Sequence, residues 1–508
     1  IIVAAISAEF NDEIVGIGIG DVSGGLGLTH DPSTWLTSLY PTCEVLGMSL
    51  SPWLLQTFTL RQFALFVLVV NATSSTLIPL CTEHYEAIYI LRGLQGLAGG
   101  FTIPLLMTTA LRVLTPDIRL YGLAIYSLTA TFTPAMGSTM AALWTDLVGW
   151  QFVFFESFAL CAIAGVMVWW GVDQDPPRYE RIPGFDWRGA LLIIIGLGSL
   201  TTMLQQGDRL DWFNNDLICE LALASVVAIP LLLVNEWFHP TPLLKLQLLA
   251  RPNLAYGCVA LFTFVVVSQS GSTVPNMYLQ EVRGFRPEQF YTVTLLVALS
   301  QLVMLPLMAV LLDRPWADAR VVNFLGLALV VASCIGMSLV EIRWFRAQFY
   351  LWTGLQAVGQ PMVVMSLLML STNDVKGPQE APFVSGLVNT PRAVAEAVGA
   401  WLVALIARWR GRLHSDRLVD QTGGKRWNLI QGHGVLPGYK PPLMPDGRPS
   451  SPGSLAAFQH TVTQQTQILT ISDTFLLFAG LTLALMAVLV ILTHYTPPPR
   501  ILAQQQKH

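Results

Sequence analysis

The chain has 508 residues, of which 53% are hydrophobic and 12% are charged, and its formal net charge is −4. An ordinary soluble domain carries about 25% charged residues, so this composition excludes a protein whose main solvent is water. No basic stripe favours nucleic acid as a partner, and the six cysteines lack the paired spacing of metal ligands. We therefore expect a membrane protein without a bound metal.

The apolar N-terminal stretch has no basic leader and runs into acidic and glycine positions, which predicts that no signal peptide is cleaved. Because the first residue is Ile1 and not Met, we expect further residues to precede it. A membrane helix needs about 20 apolar residues, so the length accommodates about 12 to 14 crossings.

Apolar windows bounded by charges and Gly/Pro clusters predict fourteen membrane helices, and hence an all-α polytopic protein. Six helices precede a polar connector, two follow it, and six more follow a proline-rich connector. The predicted helices cover about residues 1–23, 35–58, 62–81, 86–111, 119–143, 150–170, 189–205, 215–237, 254–279, 291–312, 321–340, 348–371, 382–409 and 472–493. This layout predicts an N-terminal bundle over 1–170, a connector with two additional helices over 171–250, and a C-terminal bundle over 251–508. The two six-helix bundles would be pseudo-symmetric, as in transporters built from repeated halves.

Lysines and arginines indicate the orientation of the helices. If the N-terminus is cytoplasmic, the inside segments carry thirteen of them, including Lys376, Arg500 and Lys507, whereas the short outside loops carry five. The positive-inside rule favours this orientation, so we expect both termini to be cytoplasmic.

The first predicted helix contains Glu9, Asp12 and Glu13 in the segment AEFNDEIVGIGIGDV. Their i, i+3, i+4 spacing places all three on one face of the helix. An ionisable side chain at the bilayer centre costs about 2.5 to 3.5 kcal/mol, so this face is predicted to line a polar cavity. The alternative is that the three acids lie among the lipid headgroups.

The fourth predicted helix carries Arg92 and Gln95 in the segment ILRGLQGLAGGFTIP. We expect Arg92 to lie near the acids of the first helix and to adjust their affinity for protons. Asp12, Glu13 and Arg92 are therefore the predicted proton-coupling residues. The alternative is a purely structural ion pair that locks two helices together.

Further polar or aromatic residues within apolar segments are candidates for a substrate cavity. Arg392 and Glu396 stand at i, i+4, and the alternative for them is a simple pair with each other. Glu156 follows Phe155, a carboxylate among aromatic rings that could receive a cationic, apolar guest. The predicted cavity residues are Glu9, Gln95, Phe155, Glu156, Arg392 and Glu396. The charge of the substrate stays open, since both acids and arginines are among them.

Several segments occur in an order that resembles the fourteen-helix drug:proton antiporter branch of the major facilitator superfamily. They are LRGLQGLAGG, GWQFVFFESFAL, FDWRGALLIIIGLG, HPTPLLKLQLLARPN, YLQEVRGFRPEQ, SGLVNTPRAVAEAVG and ISDTF. The resemblance implies two six-helix halves, alternating access, and export of drugs or amphipathic small molecules across a bacterial inner membrane. It also implies that a proton gradient supplies the energy, without a cofactor.

Two departures from the family pattern concern its antiport and gating motifs. The segment TFTPAMGS keeps Pro134 and Gly137 of the antiport motif, where the proline would bend the fifth helix. The segment PWLLQTFTLRQ lacks the charged pair expected after the second helix, with Gln56 and Thr57 in its place. The equivalent segment of the second half, LLDRPWADAR, keeps the gating candidates Asp313, Arg314 and Arg320.

The long outer loop, about residues 407–471, has ends without helix breakers and a Gly/Pro-rich middle. We expect residues 407–421 and 454–471 to extend the flanking helices beyond the membrane. The resemblance implies that such a hairpin could dock a periplasmic adaptor protein linked to an outer-membrane channel. The alternative is a surface loop without a partner.

Rival functions remain at this point. An uptake permease or a metabolite-specific exporter of the same fold differs from the leading interpretation only in direction or substrate. A membrane enzyme or a subunit of an energy-converting complex belongs to another class. Against it, the sequence shows no metal-ligand cluster, phosphate-binding loop or activated nucleophile.

Overall fold

The computed structural model describes residues 1–424 except 175, 374 and 376, together with residues 444, 448, 451–491 and 499. Sixteen α-helices account for most of these residues. They are α1 (Ile2–Ile17), α2 (Ile19–Gly25), α3 (His30–Thr57), α4 (Leu60–Leu77), α5 (Tyr85–Val113), α6 (Arg119–Ala141), α7 (Phe152–Gly171), α8 (Trp187–Gln206), α9 (Asp216–Phe238), α10 (Pro252–Ser268), α11 (Thr273–Met277), α12 (Pro287–Leu312), α13 (Ala319–Ser338), α14 (Arg346–Thr372), α15 (Ala381–Gly424) and α16 (Pro452–Ile491).

Every one of the fourteen predicted helices coincides with a helical segment. Two predicted helices are divided: the first at Gly18, between α1 and α2, and the ninth between α10 and α11. A π-helix, Tyr278–Val282, continues α11. Short polar residues begin several helices, as in α4, where the hydroxyl of Thr59 accepts a hydrogen bond from the Gln62 backbone N–H.

Eleven helical segments among the described residues are long and apolar enough to cross a membrane. The helices α1, α3 and α6 do not meet this criterion, because α1 has only 16 residues and all three carry many polar side chains. These same three helices face the cavity described below, so part of their surface contacts water-accessible space and not lipid. The count of fourteen crossings therefore stays a prediction.

The first seven helices form one half of the molecule and the last seven the other. The halves meet along two helix pairs, α3 with α15 and α6 with α12. The additional helices α8 and α9 pack on each other, and α8 also packs on α3. There the Gln206 amide donates to the Thr34 carbonyl at 3.0 Å and to the Ser38 hydroxyl at 2.6 Å. The boundaries predicted at residues 170 and 250 stay predictions.

Glycines allow α3 and α5 to approach until their backbones touch. A Cβ atom at Gly96 would lie 2.4 Å from the Tyr40 carbonyl oxygen, and one at Gly100 would lie 2.1 Å from the Glu44 carbonyl oxygen. Small residues permit such close helix packing within a membrane. The contact holds α5, and with it Arg92, directly against the helices that border the cavity.

Helices α15 and α16 have 44 and 40 residues, and are therefore about 60 to 66 Å long. The hydrocarbon core of a bilayer is about 30 Å thick, so both helices extend well beyond it. Residues 407–421 and 454–471 are helical, as expected, and their projection on the outer side of the membrane stays a prediction. Lys376, Arg500, Lys507 and most of the predicted Gly/Pro-rich middle of the hairpin lie outside the described residues.

Candidate functional site

A cavity of about 430 Å³ lies between the two halves. Helices α1, α3 and α6 supply one wall, and α10, α11 and α15 supply the other, with Gln205 of α8 at the side. A wider space of about 680 Å³ shares Met277, Glu281 and Ala400 with this cavity and continues to Asp208, at the α8–α9 loop. In the predicted orientation, that route leads to the outer side of the membrane.

Arg92 of α5 is fully buried behind the cavity wall and is held by several polar groups of the first half. Its guanidinium donates to the Asp12 carboxylate at 3.0 Å and to the Gln95 side-chain oxygen at 2.7 Å. It also donates to the backbone carbonyls of Leu36 and Asn11, at 3.1 and 3.3 Å, and lies over the Tyr40 ring. The predicted proximity of Arg92 to the acids of the first helix is therefore confirmed.

The Gln95 side chain continues this network away from the cavity. Its amide donates to the Asn11 side-chain oxygen at 2.8 Å and to the Ser75 hydroxyl at 2.7 Å. Asn11 in turn donates to the Ser157 hydroxyl of α7. Four helices, α1, α4, α5 and α7, are thus connected through buried polar side chains, which fixes the orientation of the Arg92–Asp12 pair.

Arg392 of α15 connects the two halves. Its guanidinium donates to the Glu9 carboxylate of α1 at 2.6 Å and to the Thr129 hydroxyl of α6 at 3.1 Å. It also donates to Glu396, one turn further along α15, at 3.2 Å. The local pair predicted from the i, i+4 spacing is present, but the shorter contact is the one with Glu9.

Two acids of the site are unpaired. Neither Glu13 of α1 nor Glu44 of α3 has a hydrogen-bond or ion-pair partner within the described part of the chain. Glu13 lines the cavity, whereas Glu44 is buried beside it. An isolated carboxylate in a site of low polarity requires a proton or a cationic partner, so these two acids are available to bind either.

The predicted residues fall into three groups by position. Glu9, Asp12, Glu13, Pro134 and Glu396 line the cavity. Arg92 and Arg392 lie directly behind its wall, in contact with the lining acids, and Gln95 lies behind Arg92. Gly137 of α6 packs on α1, where a Cβ atom would lie 2.9 Å from the Cβ of Glu13.

Phe155 and Glu156 of α7 do not line the cavity. The Trp144 indole N–H donates to the Glu156 carboxylate, and the Phe155 ring packs edge-to-face on Phe152 at 6.1 Å. The rotation of α7 about its axis places Glu156 against Trp144 of the π-helix at 142–148, and Phe155 against Phe152 of α7 itself. The structure therefore does not bring these two residues together with the other cavity candidates.

At the opposite end of the molecule, an amide makes a contact between the halves. Gln56 of α3 donates to the Gln379 carbonyl at 3.1 Å and accepts a hydrogen bond from Arg181. The sequence indicated only that Gln56 stands where a charged residue was expected, not that it makes this contact. The predicted gating residues of the second half lie around the α12–α13 turn, where Asp313 ends α12 and the backbone N–H of Arg320 donates to Asp318 at 3.0 Å. Arg314 is exposed in the same turn.

The polar wall supplied by α10 and α11 was missed by the sequence analysis. It includes Gln269, Ser272 and Asn276, and the Asn276 amide donates to the Ser138 hydroxyl of α6 at 2.7 Å. The run SQSGSTVPN inside an otherwise apolar segment was the available signal. Polar residues at this depth are expected to face protein or water, and not lipid.

The family model for the Major Facilitator Superfamily matches residues 1–400 of the chain. The chain belongs to the Major Facilitator Superfamily. It is therefore a multi-pass membrane protein and a secondary transporter, and not an enzyme.

Bacterial exporters are among the relatives of this superfamily member. It is 24% identical to the colistin resistance protein EmrB of Acinetobacter baumannii, over 82% of this chain and 80% of the relative. It is 23% identical to the multidrug export protein EmrB of Escherichia coli, over 96% and 92% of the two chains. It is 22% identical to the fatty acid resistance protein FarB of Neisseria gonorrhoeae, over 91% and 89%.

Solved structures share the fold. The human organic anion transporter MFSD10 superposes with a TM-score of 0.54 at 14% identity, covering 95% of this chain and 97% of that chain. The proton:xylose symporter XylE superposes with a TM-score of 0.56 at 8% identity, covering 99% and 97%. The predicted all-helical fold of the superfamily is confirmed.

Proposed function

We propose that the protein exports small molecules across the bacterial cytoplasmic membrane in exchange for protons, by alternating access, with both termini in the cytoplasm. The observation that carries the proposal is the position of three acids of α1. Glu9, Asp12 and Glu13 all line the cavity where the two halves meet. Proton binding at these acids can therefore act on the same space that a substrate would occupy. The exporters among the relatives support the direction of transport.

The contacts of Asp12 and Glu13 suggest how a proton would be exchanged. Asp12 forms an ion pair with Arg92 at 3.0 Å, whereas Glu13 has no partner in the described part of the chain. A proton on Asp12 removes the charge that holds the guanidinium, while Gln95 and two backbone carbonyls still hold it in place. Loading and release of a proton would therefore change the attraction between α1 and α5 without disordering Arg92.

The proposal is tested in proteoliposomes with an imposed pH gradient. We would follow the internal pH and the flux of three probes, ethidium, spermidine and laurate, which are an amphipathic cation, a hydrophilic polycation and an amphipathic anion. The double variant Asp12→Asn/Glu13→Gln is expected to lose coupling, because neither side chain can then carry a proton. The matched control is Glu220→Gln, since Glu220 is exposed on α9.

Three results would contradict the proposal. A substrate flux that does not change with the pH gradient excludes proton coupling. Full coupled flux by the double variant places the proton site elsewhere. Substrate movement in the same direction as the protons supports an uptake permease instead.

We further propose that the α15–α16 hairpin docks a periplasmic adaptor protein. The supporting observation is that both helices continue far beyond the thickness of a bilayer. At the base of the hairpin, the Asp473 carboxylate of α16 accepts hydrogen bonds from Arg410 and His414 of α15, both at 2.6 Å. These contacts connect the two helices. Deleting residues 422–453 is expected to abolish co-purification of the adaptor. Unchanged co-purification would contradict docking at that segment.

A further inference from the structure

The cavity lining is more polar than that of a usual site for amphipathic compounds. Ligand pockets are lined mainly by hydrophobic and aromatic side chains with a few polar groups. Here thirteen of the 22 lining residues are polar or acidic, and none of these described residues is aromatic. An amphipathic guest would therefore find no aromatic ring among these residues to stack on, whereas a hydrophilic guest would find many hydrogen-bonding partners.

The charges of the lining have one sign. The cavity is lined by five carboxylates, and no basic side chain is among its described lining residues: the acids are Glu9, Asp12, Glu13, Glu281 and Glu396. Arg92 and Arg392 lie behind the wall, 0% and 1% exposed, and their guanidinium groups are already bonded to protein oxygens. They offset two of the five charges but cannot reach a guest. An anionic substrate is therefore disfavoured, and a guest with more than one positive charge is favoured.

The wall opposite α1 contains one acceptor without a donor and the C-terminal end of a helix. Asn276 is 6% exposed and lines the cavity, and its amide nitrogen donates to Ser138. Its side-chain oxygen has no hydrogen-bond donor within the described part of the chain. Ser268, also in the lining, is the last residue of α10, so the negative end of that helix dipole lies at the wall. Ammonium groups carry only donors, which matches this wall.

The acids are spread along the cavity and not gathered at one point. Glu9 and Glu13 are separated by one helical turn, about 6 Å along α1. Glu281 lies at the passage into the wider space, since it lines both. An extended guest with separated charges would meet one acidic group at the centre and another near the mouth.

From these observations, and on the basis of the proposed export function, we infer that the substrate is a hydrophilic cation with at least two amino groups. A linear polyamine is the simplest member of this class. One amino group would lie between Glu9, Glu13 and Glu396, and a second would lie near Glu281 and Asn276.

The test is equilibrium binding to the purified full-length protein in an amine-free buffer, without any gradient. Spermidine is expected to bind at least about tenfold more tightly than butylamine, which has one amino group, and than the lipophilic cation tetraphenylphosphonium. Glu281→Gln is expected to weaken spermidine binding about tenfold and to leave butylamine binding unchanged. Glu281 is exposed, so its replacement does not threaten folding. Glu220→Gln is the matched control and is expected to leave the binding of both spermidine and butylamine unchanged.

Each other outcome overturns the inference. Absence of spermidine binding excludes polycations. Tighter binding of tetraphenylphosphonium indicates a site for lipophilic cations, and competition by laurate indicates a site for anions. If Glu281→Gln leaves the affinity for spermidine unchanged, Glu281 does not bind the second amino group. The two proposals fail in different measurements. If proton-coupled export is wrong, flux in vesicles does not depend on the gradient, while spermidine still binds to the purified protein.

Discussion

Replacing Arg392 by methionine removes a cation that contacts Glu9 and Glu396 together. Met keeps a long apolar side chain of similar reach, so the change deletes charge and hydrogen bonds with little loss of volume. Four hydrogen bonds disappear: one each to Glu9 and Glu396, and two to the hydroxyl and carbonyl of Thr129. The Glu9 carboxylate is then left at the interface between the halves without a partner.

The expected loss of stability depends on how far each acid is buried from water. Removing one partner of a buried ion pair costs about 3 to 5 kcal/mol, because the other charge stays buried and unpaired. The Glu9 side chain is 8% exposed, so it suffers this penalty almost in full, whereas that of Glu396 is 30% exposed and can be hydrated from the cavity. We expect a loss of about 3 kcal/mol, a large part of the 5 to 15 kcal/mol typical of a folded protein.

The assay compares denaturant midpoints of the purified protein in detergent, followed by tryptophan fluorescence, for three chains. These are the unchanged protein, Arg392→Met, and the double variant Glu9→Gln/Arg392→Met. Because the double variant has no unpaired charge at position 9, we expect it to regain most of the lost stability. The reasoning is refuted if Arg392→Met unfolds at the same denaturant concentration as the unchanged protein. It is refuted equally if the double variant is no more stable than Arg392→Met.

Two further predictions concern packing and pH. Gly100→Ala is expected to reduce the free energy of unfolding by about 1 to 3 kcal/mol, because its Cβ would lie 2.1 Å from the Glu44 carbonyl oxygen and α3 would have to move; denaturant midpoints measure this. Hydrogen bonds from Asn214 and Arg408 lower the pKa of Asp211 in the α8–α9 loop. The contact with Arg408 therefore stabilises the loop fully at pH values above the ordinary pKa of an aspartate, about 4. Its contribution is lost as the pH falls through the lowered pKa of Asp211. Amide-exchange protection factors of the loop at pH 6.5 and at pH 3 measure this change.

Matched variants control both predictions. Gly165→Ala on α7 adds the same methyl group where no atom lies within 4 Å, so it is expected to leave stability unchanged or slightly increased. A loss equal to that of Gly100→Ala would show that packing on α3 is not the cause. For the loop, Arg408→Gln is expected to lower protection at pH 6.5 and to reduce its dependence on pH, while the hydrogen bond from Asn214 keeps the remainder. An unchanged pH profile in that variant would contradict the assigned contact.

Much of the fold could be predicted from the sequence, because each segment that crosses a lipid bilayer in an all-α protein must by itself be helical, apolar and about 20 residues long. Long apolar windows ended by charges, glycines and prolines predicted the position of fourteen helical segments without knowledge of their neighbours, but not the division of the first and the ninth. The same holds for features within a single helix. The spacing of Glu9, Asp12 and Glu13 predicted one acidic face, and that face lines the cavity. Helical periodicity alone was sufficient for that prediction.

What could not be predicted depends on which helix faces which. The i, i+4 spacing offered a pair between Arg392 and Glu396 as the alternative to a cavity role; that pair is present, yet the shorter contact of Arg392 is with Glu9, 383 positions away in the chain. No local pattern encodes that pairing. Phe155 and Glu156 are adjacent in sequence and predicted an aromatic and acidic group in the cavity, but the rotation of α7 places Glu156 against Trp144 and neither residue lines the cavity. The direction of a side chain within a bundle is set by the packing of the neighbouring helices.

The unbroken length of α15 has a mechanical consequence. Glu396, in the cavity, and Gly424, at the end of the extended segment, belong to one continuous helix and are about 42 Å apart along it. Such a helix, if it moves as one rigid body, carries a change of tilt at the cavity along its whole length. A tilt of about 5° around Glu396 would move the far end by about 4 Å. Events at the centre of the protein would thus be amplified at its periphery, where a second molecule could sense them.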